Sequence, residues 1–331
     1  MDERELLRRL TEGPVSGDVL ARAGGQTRAA IWKRIGALRE AGVPIEAQAG
    51  RGYVLAAPVE LLDAAIIHDA LPAEIAGLLD GLEVAWSVDS TNTQLLCRPA
   101  PERGALVLLA ERQTSGRGRR GREWSSPLAA HLYVSVSRQF GAGLARLGGL
   151  SLVAGVAAAE ALRELGYADV ALKWPNDLVV PGAAGLRKLG GILVEGGGEH
   201  AGPARAVIGL GINVRMPASV AANIDQPWCD LADLSKPGAA PRRNRLAAAV
   251  LARMLPALEE FDATGLAPFL ERYAALDALS GQSVAVAVAD GPLRGVAQGL
   301  ADDGALRVLL DSGDERVFHS GEVSVRREAA A

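Results

Sequence analysis

Cysteine is nearly absent from this 331-residue chain, with only Cys97 and Cys229. Two thiols cannot build a disulfide framework or a four-cysteine zinc site. Histidine is as scarce: among His68, His131, His200 and His319 no two have metal-ligand spacing, and H-E-x-x-H is missing. There is no G-x-S-x-G elbow to carry a serine nucleophile. No apolar run approaches the ~18–20 residues of a membrane span, and Met1–Arg9 is too charged for a signal peptide. Positive charge is not in excess either: the formal net charge is -4, which argues against non-specific coating of nucleic acid. Lysine is the most telling scarcity. Of 35 basic residues only Lys33, Lys173, Lys188 and Lys236 are lysine. Where arginine fills the generic cation roles, a retained lysine marks a place for a compact ammonium, drift at tolerant sites such as Lys236 being the plain alternative.

What is present is a 49% apolar chain, long enough for two or three domains, and read as a soluble cytoplasmic globular protein. Charge is uneven along it. Residues 1–56 carry nine Arg/Lys against seven Asp/Glu, a net +2 that leaves -6 for the remainder and suggests different partners for the two parts. The same segment predicts a short helix over 3–12 and a second after Ser16. A Gly24-Gly25-Gln26 break then leads into a third helix capped by Thr27 and running to about Ala41. Ala30, Ile31, Ile35 and Leu38 form its buried stripe, and Arg28, Trp32 and Lys33 its exposed side. Gly50-Arg51-Gly52 then tips a hairpin. This is a winged helix-turn-helix pattern, in which Thr27, Arg28, Trp32, Lys33 and Arg51 are the candidate DNA contacts. Such units also serve as protein docking modules.

Pro58–Leu71 reads as a linker running into a helix. Strands mixed with helices follow, over 105–111, 132–137, 170–174, 178–180, 188–195 and 207–214, with helices over 150–165, 244–260 and 267–276. From Ser280 short strands separated by Asp/Gly turns, the last at Val323–Val325, suggest a small SH3-like barrel packed on the central domain, before a short Glu-Ala tail. The fold class is therefore α+β, with units at 1–60, 61–279 and 280–327.

Three stretches can carry chemistry. Gly116-Arg117-Gly118-Arg119-Arg120-Gly121-Arg122 matches G-x-G-x-x-G by letter, yet no helical periodicity follows it, so the dinucleotide reading fails. Four guanidiniums and three glycines without an apolar anchor predict a segment that is loose until a polyoxygen anion orders it, or else a solvated basic turn. Lys173-Trp174-Pro175-Asn176-Asp177 is a Pro-Asn-Asp turn, and Lys188 with Gly190-Gly191 returns beside it, so two of the four lysines frame one hairpin. Asp89-Ser90-Thr91-Asn92 either caps a helix over 93–96 or offers hydroxyls to a small polar ring.

With Thr27–Ile31, Lys188–Glu195, Gly209-Leu210-Gly211-Ile212-Asn213 and Gly265–Phe269, these motifs make the chain resemble, over almost its whole length, the bifunctional biotin–protein ligases and biotin operon repressors. The resemblance implies a central mixed-sheet domain of class II synthetase type. It implies that biotin and MgATP form biotinyl-5′-AMP, that biotin passes to one lysine of a biotin carboxyl carrier protein, and that an adenylate-bound homodimer represses at operator DNA. It places Ser90, Thr91, Asn92, Gln113, Arg117, Gly118, Arg119 and Lys188 at biotin. Arg119, Arg120, Arg122, Asn176, Asp177, Asn213 and Trp228 would lie at the nucleotide, with Mg²⁺ near Asp177, and Lys188, Arg119 and Asp177 would be catalytic. A ligand-sensing transcription factor without ligase activity and a lipoate–protein ligase are the competing readings. Gly196-Gly197-Gly198 extends the strand expected at a dimer edge, and Trp32 on the recognition helix keeps the operator sequence from being carried over.

Overall fold

A computed structural model describes residues 1–141, 143–198, 203–236, 239, 241–288, 291–320 and 324–327. His200, Val323 and the Glu-Ala tail, each named above, lie outside the described residues.

The N-terminal module is α1 (Glu3–Thr11), α2 (Gly17–Gly24), α3 (Arg28–Glu40), and a hairpin of β1 (Ile45–Gln48) and β2 (Gly52–Leu55). Each helix starts on a side-chain cap. Asp2 accepts from the Glu5 N–H, Ser16 from Val19 and Thr27 from Ala30, each such cap contributing roughly 1 kcal/mol. Gly25, at φ +59°, turns the chain between α2 and α3. Leu6, Leu7, Leu10, Leu20, Ile31, Ile35 and Leu38 fill the space between the helices, while Ala30 is only half-buried. Val15 pairs with Tyr53 and ties the wing back to the helices.

The segment expected to be a linker is anchored. A carboxylate oxygen of Glu60 accepts the N–H groups of Arg243 and Asn244, the Asn244 amide donates to Leu61 O at 2.9 Å, and Leu62 N–H donates to Glu111. Glu111 pairs at 2.7 Å with the buried Arg243 guanidinium, which also donates to His131 O. A buried charge of this kind persists only when its hydrogen bonds are filled, and here they are.

The chain continues through α4 (Ala64–Asp69), α5 (Ala73–Ala76), β3 (Leu79–Ala85), α6 (Thr91–Leu96), β4 (Ala105–Ala110), β5 (Leu132–Phe140) and α7 (Leu150–Glu164). It then forms β6 (Ala171–Lys173), β7 (Asp177–Gly182), β8 (Gly185–Gly198) and β9 (Ala204–Ile212). Four helices follow: α8 (Ala218–Ala221), α9 (Leu231–Leu234), α10 (Arg243–Thr264) and α11 (Ala267–Ala274). The seven strands β3 to β9 make one mixed sheet in the order β3-β4-β5-β9-β8-β7-β6, in which β3 and β4 are parallel and the other pairs antiparallel. Buried side chains of α7 and α10 form the main core with this sheet, and Leu95 of α6 packs with Leu108 and Val207 in a smaller cluster. Pairing of β8 with β7 ends at Gly191, whereas pairing with β9 runs on to Gly198, so Leu193–Gly198 has no strand on one edge among the described residues.

The last unit is β10 (Ser283–Val288), β11 (Gly291–Leu300), β12 (Leu306–Leu310), β13 (Glu315–Phe318) and β14 (Ser324–Arg327), an antiparallel sheet ordered β13-β12-β11-β10-β14. Val284, Val286, Leu306 and Val308 belong to the same continuous core as the central domain. The buried Trp174 indole donates to Gly304 O at 3.0 Å across that junction.

The N-terminal module is likewise not separate. Leu128 N–H donates to Ala41 O at 2.8 Å, and Leu128 and Ala129 sit in the hydrophobic core of the helix-turn-helix.

Candidate active site

The site lies where β4, β5, β8 and β9 meet the two loops following β3 and β4. Beyond their last residues the two parallel strands continue as a bridge between Val88 and Gln113, which sets the Asp89–Asn92 turn beside Gln113. Helix α6 starts at Thr91, two residues before the expected start. Ser90 is its N-cap residue but makes no side-chain capping bond, and Asp89 accepts from the Gln94 amide at 2.8 Å. That bond lowers the Asp89 carboxyl below its ordinary value. Neither Asp89 nor Ser90 is therefore used as the side-chain cap that the sequence allowed.

A buried polar cluster follows. Thr91 donates from both its N–H and its hydroxyl to Gln113 Oε1, at 2.9 and 3.1 Å, and the Gln113 amide donates to Ser126 Oγ at 3.2 Å. Ser135 Oγ stands 2.7 Å from Thr91 Oγ1 and 2.6 Å from Asn92 Oδ1. The Asn92 amide donates to Glu195 Oε2 at 2.8 Å and to Leu193 O at 3.2 Å. Glycine at 209 makes room for the Asn92 amide, since a Cβ there would come within 2.3 Å of Asn92 Oδ1 and displace it from these bonds.

The arginine-rich loop closes over this cluster as a narrow hairpin. Arg117 bridges to Glu123, Gly118 N–H donates to Arg122 O at 2.7 Å, and Trp124 N–H donates to Gly116 O at 2.9 Å. Arg120 holds a left-handed φ of 57°, an uncommon conformation outside glycine. The loop's anchors are polar. Arg117 donates to Thr93 Oγ1 at 2.9 Å and reaches Glu195 at 3.4 Å, while Arg119 donates to Asn176 Oδ1 at 3.3 Å and to Ser320 O of the C-terminal unit. Burial, with Arg120 beside it, lowers the Arg119 guanidinium pKa from its usual value. Arg120 and Arg122 are exposed.

Lys188 stands at the centre. Its ammonium lies 2.7 Å from Asp177 Oδ1 and 5.5 Å from the centre of the Trp124 ring. The turn before Asp177 is pinned, since Asn176 exchanges bonds with Ile192 through its N–H₂ at 2.8 Å and its carbonyl at 2.9 Å. The Lys188 backbone pairs with the Trp228 segment, donating to Pro227 O at 2.9 Å and accepting from Cys229 N–H at 3.0 Å. Asn213 is buried and its amide donates to the carbonyls of Lys188 and Cys229. It braces the bridge between the Lys188 and Trp228 segments. Lys173 faces Asp177 in register on β6.

Four side chains here are not expected from the sequence: Trp124, Ser126, Ser135 and Glu195. Trp124 lies across the sheet where Gly191 and Gly211 leave room, since a Cβ at 211 would meet its ring at 2.7 Å. Its indole N–H is buried without a partner among the described residues. Alternate glycines in Gly209-Leu210-Gly211 were the available signal for such a close approach.

The DNA-contact candidates lie elsewhere, in the N-terminal module: Thr27, Arg28, Trp32 and Lys33 at the start of and along α3, and Arg51 between β1 and β2. Trp32 is 69% exposed, Lys33 is exposed, and Arg28 makes a 3.3 Å ion pair with Asp18. Arg51 at the wing tip donates to Gln48 at 3.1 Å. Among the described residues no three His, Cys, Asp or Glu side chains are grouped to hold a metal, and no helix is long and apolar enough to cross a membrane.

Three family models match successive parts of the chain. Residues 84–213 match the model of the biotin/lipoate A/B protein ligase family, residues 279–326 the biotin protein ligase C-terminal domain, and residues 3–54 an HTH domain. The first of these families spans biotin and lipoate enzymes, so the full-length relatives discriminate better. The chain is 40% identical over 313 residues to the bifunctional ligase/repressor BirA of Escherichia coli, covering 94% of this chain and 92% of that one. It is 28% identical over 309 residues to the Bacillus subtilis BirA, covering 92% of each. The biotin protein ligase of Aquifex aeolicus, solved in complex with biotin and ATP, superposes with a TM-score of 0.62 at 28% identity, over 75% of this chain and all of that one. With its ligase motifs, its C-terminal sheet and its helix-turn-helix all in place, the chain belongs to the family of bifunctional biotin–protein ligases and repressors.

Proposed function

We propose that the protein activates biotin with ATP, transfers it to a carrier lysine, and represses transcription through its N-terminal module. The observation that carries this reading is Lys188, whose ammonium is held 2.7 Å from Asp177 and 5.5 Å from the ring of Trp124, two residues past the four-arginine loop. In the first step a biotin carboxylate oxygen attacks the α-phosphorus of ATP. The bond to the bridging oxygen breaks, pyrophosphate leaves, and biotinyl-5′-AMP remains. In the second, the amine of a lysine on a biotin carboxyl carrier protein attacks the acyl carbon. An amide forms, AMP leaves, and the amine proton is lost.

Ser90, Thr91, Asn92, Gln113, Arg117 and Gly118 frame the ureido ring, with Trp124 as the wall along the acyl chain. Lys188 and the Arg119 backbone hold the carboxylate and α-phosphate. Arg119, Arg120 and Arg122 meet the phosphates, where negative charge grows as the P–O bond breaks and preorganised cations lower the barrier. Trp228 stacks on adenine, and Asn213 supports it from below. Lys188 can exchange Asp177 for phosphate oxygens, which leaves the carboxylate facing the incoming amine. Mg²⁺ bound with nucleotide commonly needs only one or two protein carboxylates beside phosphate oxygens, and Asp177 with Asn176 fits that demand. When bound, the ion neutralises phosphate charge.

Residues 1–60, 61–279 and 280–327 act as DNA reader, catalyst and small barrel. Thr27, Arg28, Trp32, Lys33 and Arg51 meet operator DNA. The open edge of β8 at Leu193–Gly198 pairs with a second copy once ligand has ordered the loop, whose Arg117 already contacts Glu195 on that strand. Biotin-dependent ATP–pyrophosphate exchange tests the enzyme. No exchange removes the ligase reading, and equal exchange with lipoate removes the biotin assignment. Gel shift with and without biotin plus ATP tests repression.

A further inference from the structure

A cavity of about 410 Å³ lies between the DNA-reading module and the central domain and shares no residue with the active site. Its walls are Pro44 and Val59 on one side and Leu128, Val214, Met216 and Pro217 on the other. Three arginines also line it. Arg243 is committed to Glu111 and His131. Arg215, half-buried, and Arg242, exposed, have no hydrogen bond or ion pair from their side chains among the described residues. The acidic groups nearby are occupied. Glu60 accepts the Arg243 and Asn244 N–H groups, and Asp230, which feels the charge of Arg215, accepts from Met216 and Asp233. An apolar chamber of this size falls in the range of small-ligand sites, which favour such inter-domain positions. Two guanidiniums at its edge call for a planar anion.

We propose that this cavity binds an aliphatic monocarboxylate, its chain against Val59, Leu128 and Met216 and its carboxylate on Arg215 and Arg242. The ligand is a second small molecule, distinct from those of the ligase reaction. Calorimetry on the full-length protein, with saturating biotin present to fill the catalytic carboxylate site, tests it with decanoate as the probe and decanol as its uncharged counterpart. We expect one decanoate per chain and weaker binding of decanol. Binding of decanoate falls roughly a hundredfold or more in Arg215→Gln/Arg242→Gln, the loss of two charge-assisted bonds. Ala57→Phe, which places a ring in the chamber wall, abolishes binding of both probes while pyrophosphate exchange continues. Displacement of decanoate by biotin, equal affinity for decanol, or unchanged affinity in either variant would overturn the assignment.

Discussion

At the scale of single residues, the Lys188–Asp177 pair and the buried His131 make opposite uses of charge. Lys188 keeps an ammonium beside a carboxylate at 2.7 Å, both largely shielded from water. Lys188→Gln preserves length and removes the charge. Adenylation should slow by roughly 10²–10³, the loss seen when one preorganised donor to a developing oxyanion is deleted. Pre-steady-state formation of biotinyl-5′-AMP measures it, and a change confined to the KM for biotin would count against the role. His131 is kept neutral. Burial first, and then Arg243, push its pKa from 6.5 down to about 3. Between those values the unfolded imidazole takes up a proton and the folded one does not, so stability is lost as pH falls below 6.5. The loss from pH 7 to pH 5 is about 2 kcal/mol. Urea titrations at the two pH values should show wild type losing that much relative to His131→Asn. This scale was also the most legible in the sequence. The scarcity of lysine pointed to Lys188, and the Gly/Arg run to Arg117 and Arg119. Trp124, Ser135 and Glu195 escaped because their place depends on long-range strand pairing, which composition and local spacing do not encode.

At the scale of elements, helix periodicity and capping residues point to α1, α2, α3, α7 and α10 within a few residues, and short apolar runs to most strands. The order of the seven strands was not legible, nor was the overhang of β8 past β7. That overhang depends on where Asn176 takes Ile192 out of the ladder. It also carries a prediction. Gly197 has open space where a Cβ would sit, so Gly197→Glu fits the monomer, opposite Arg205 on β9. A charge on an unpaired strand edge opposes edge-to-edge association. Sedimentation with biotin plus ATP should show dimerisation weakened at least tenfold, with adenylation rates intact. An unchanged dimer would move the interface elsewhere.

At the scale of the whole molecule, three units that composition presents as successive share their interiors. The C-terminal sheet completes the central core, and Leu128 of the catalytic chain, four residues past Trp124, is part of the core of the DNA reader. Leu128→Ala should cost roughly 2–5 kcal/mol by leaving a cavity. Scanning calorimetry should find the transitions of both domains lowered together. A drop in one alone would show that the seam carries little energy. No sequence signal marks this seam, since Pro127-Leu128-Ala129 reads as an ordinary apolar step between a loop and a strand.

That shared residue has a genetic consequence. A lesion that unfolds the DNA reader also uncovers an apolar side chain of the catalyst. A screen for loss of repression should therefore return two kinds of allele. Changes on the exposed face of α3, such as Trp32 or Lys33, cost repression alone. Changes at Ile31, Ile35 or Leu38 behind it, on the face that meets the Leu128 cluster, also reduce the amount of active ligase, although they lie far in sequence from every residue that meets biotin or ATP.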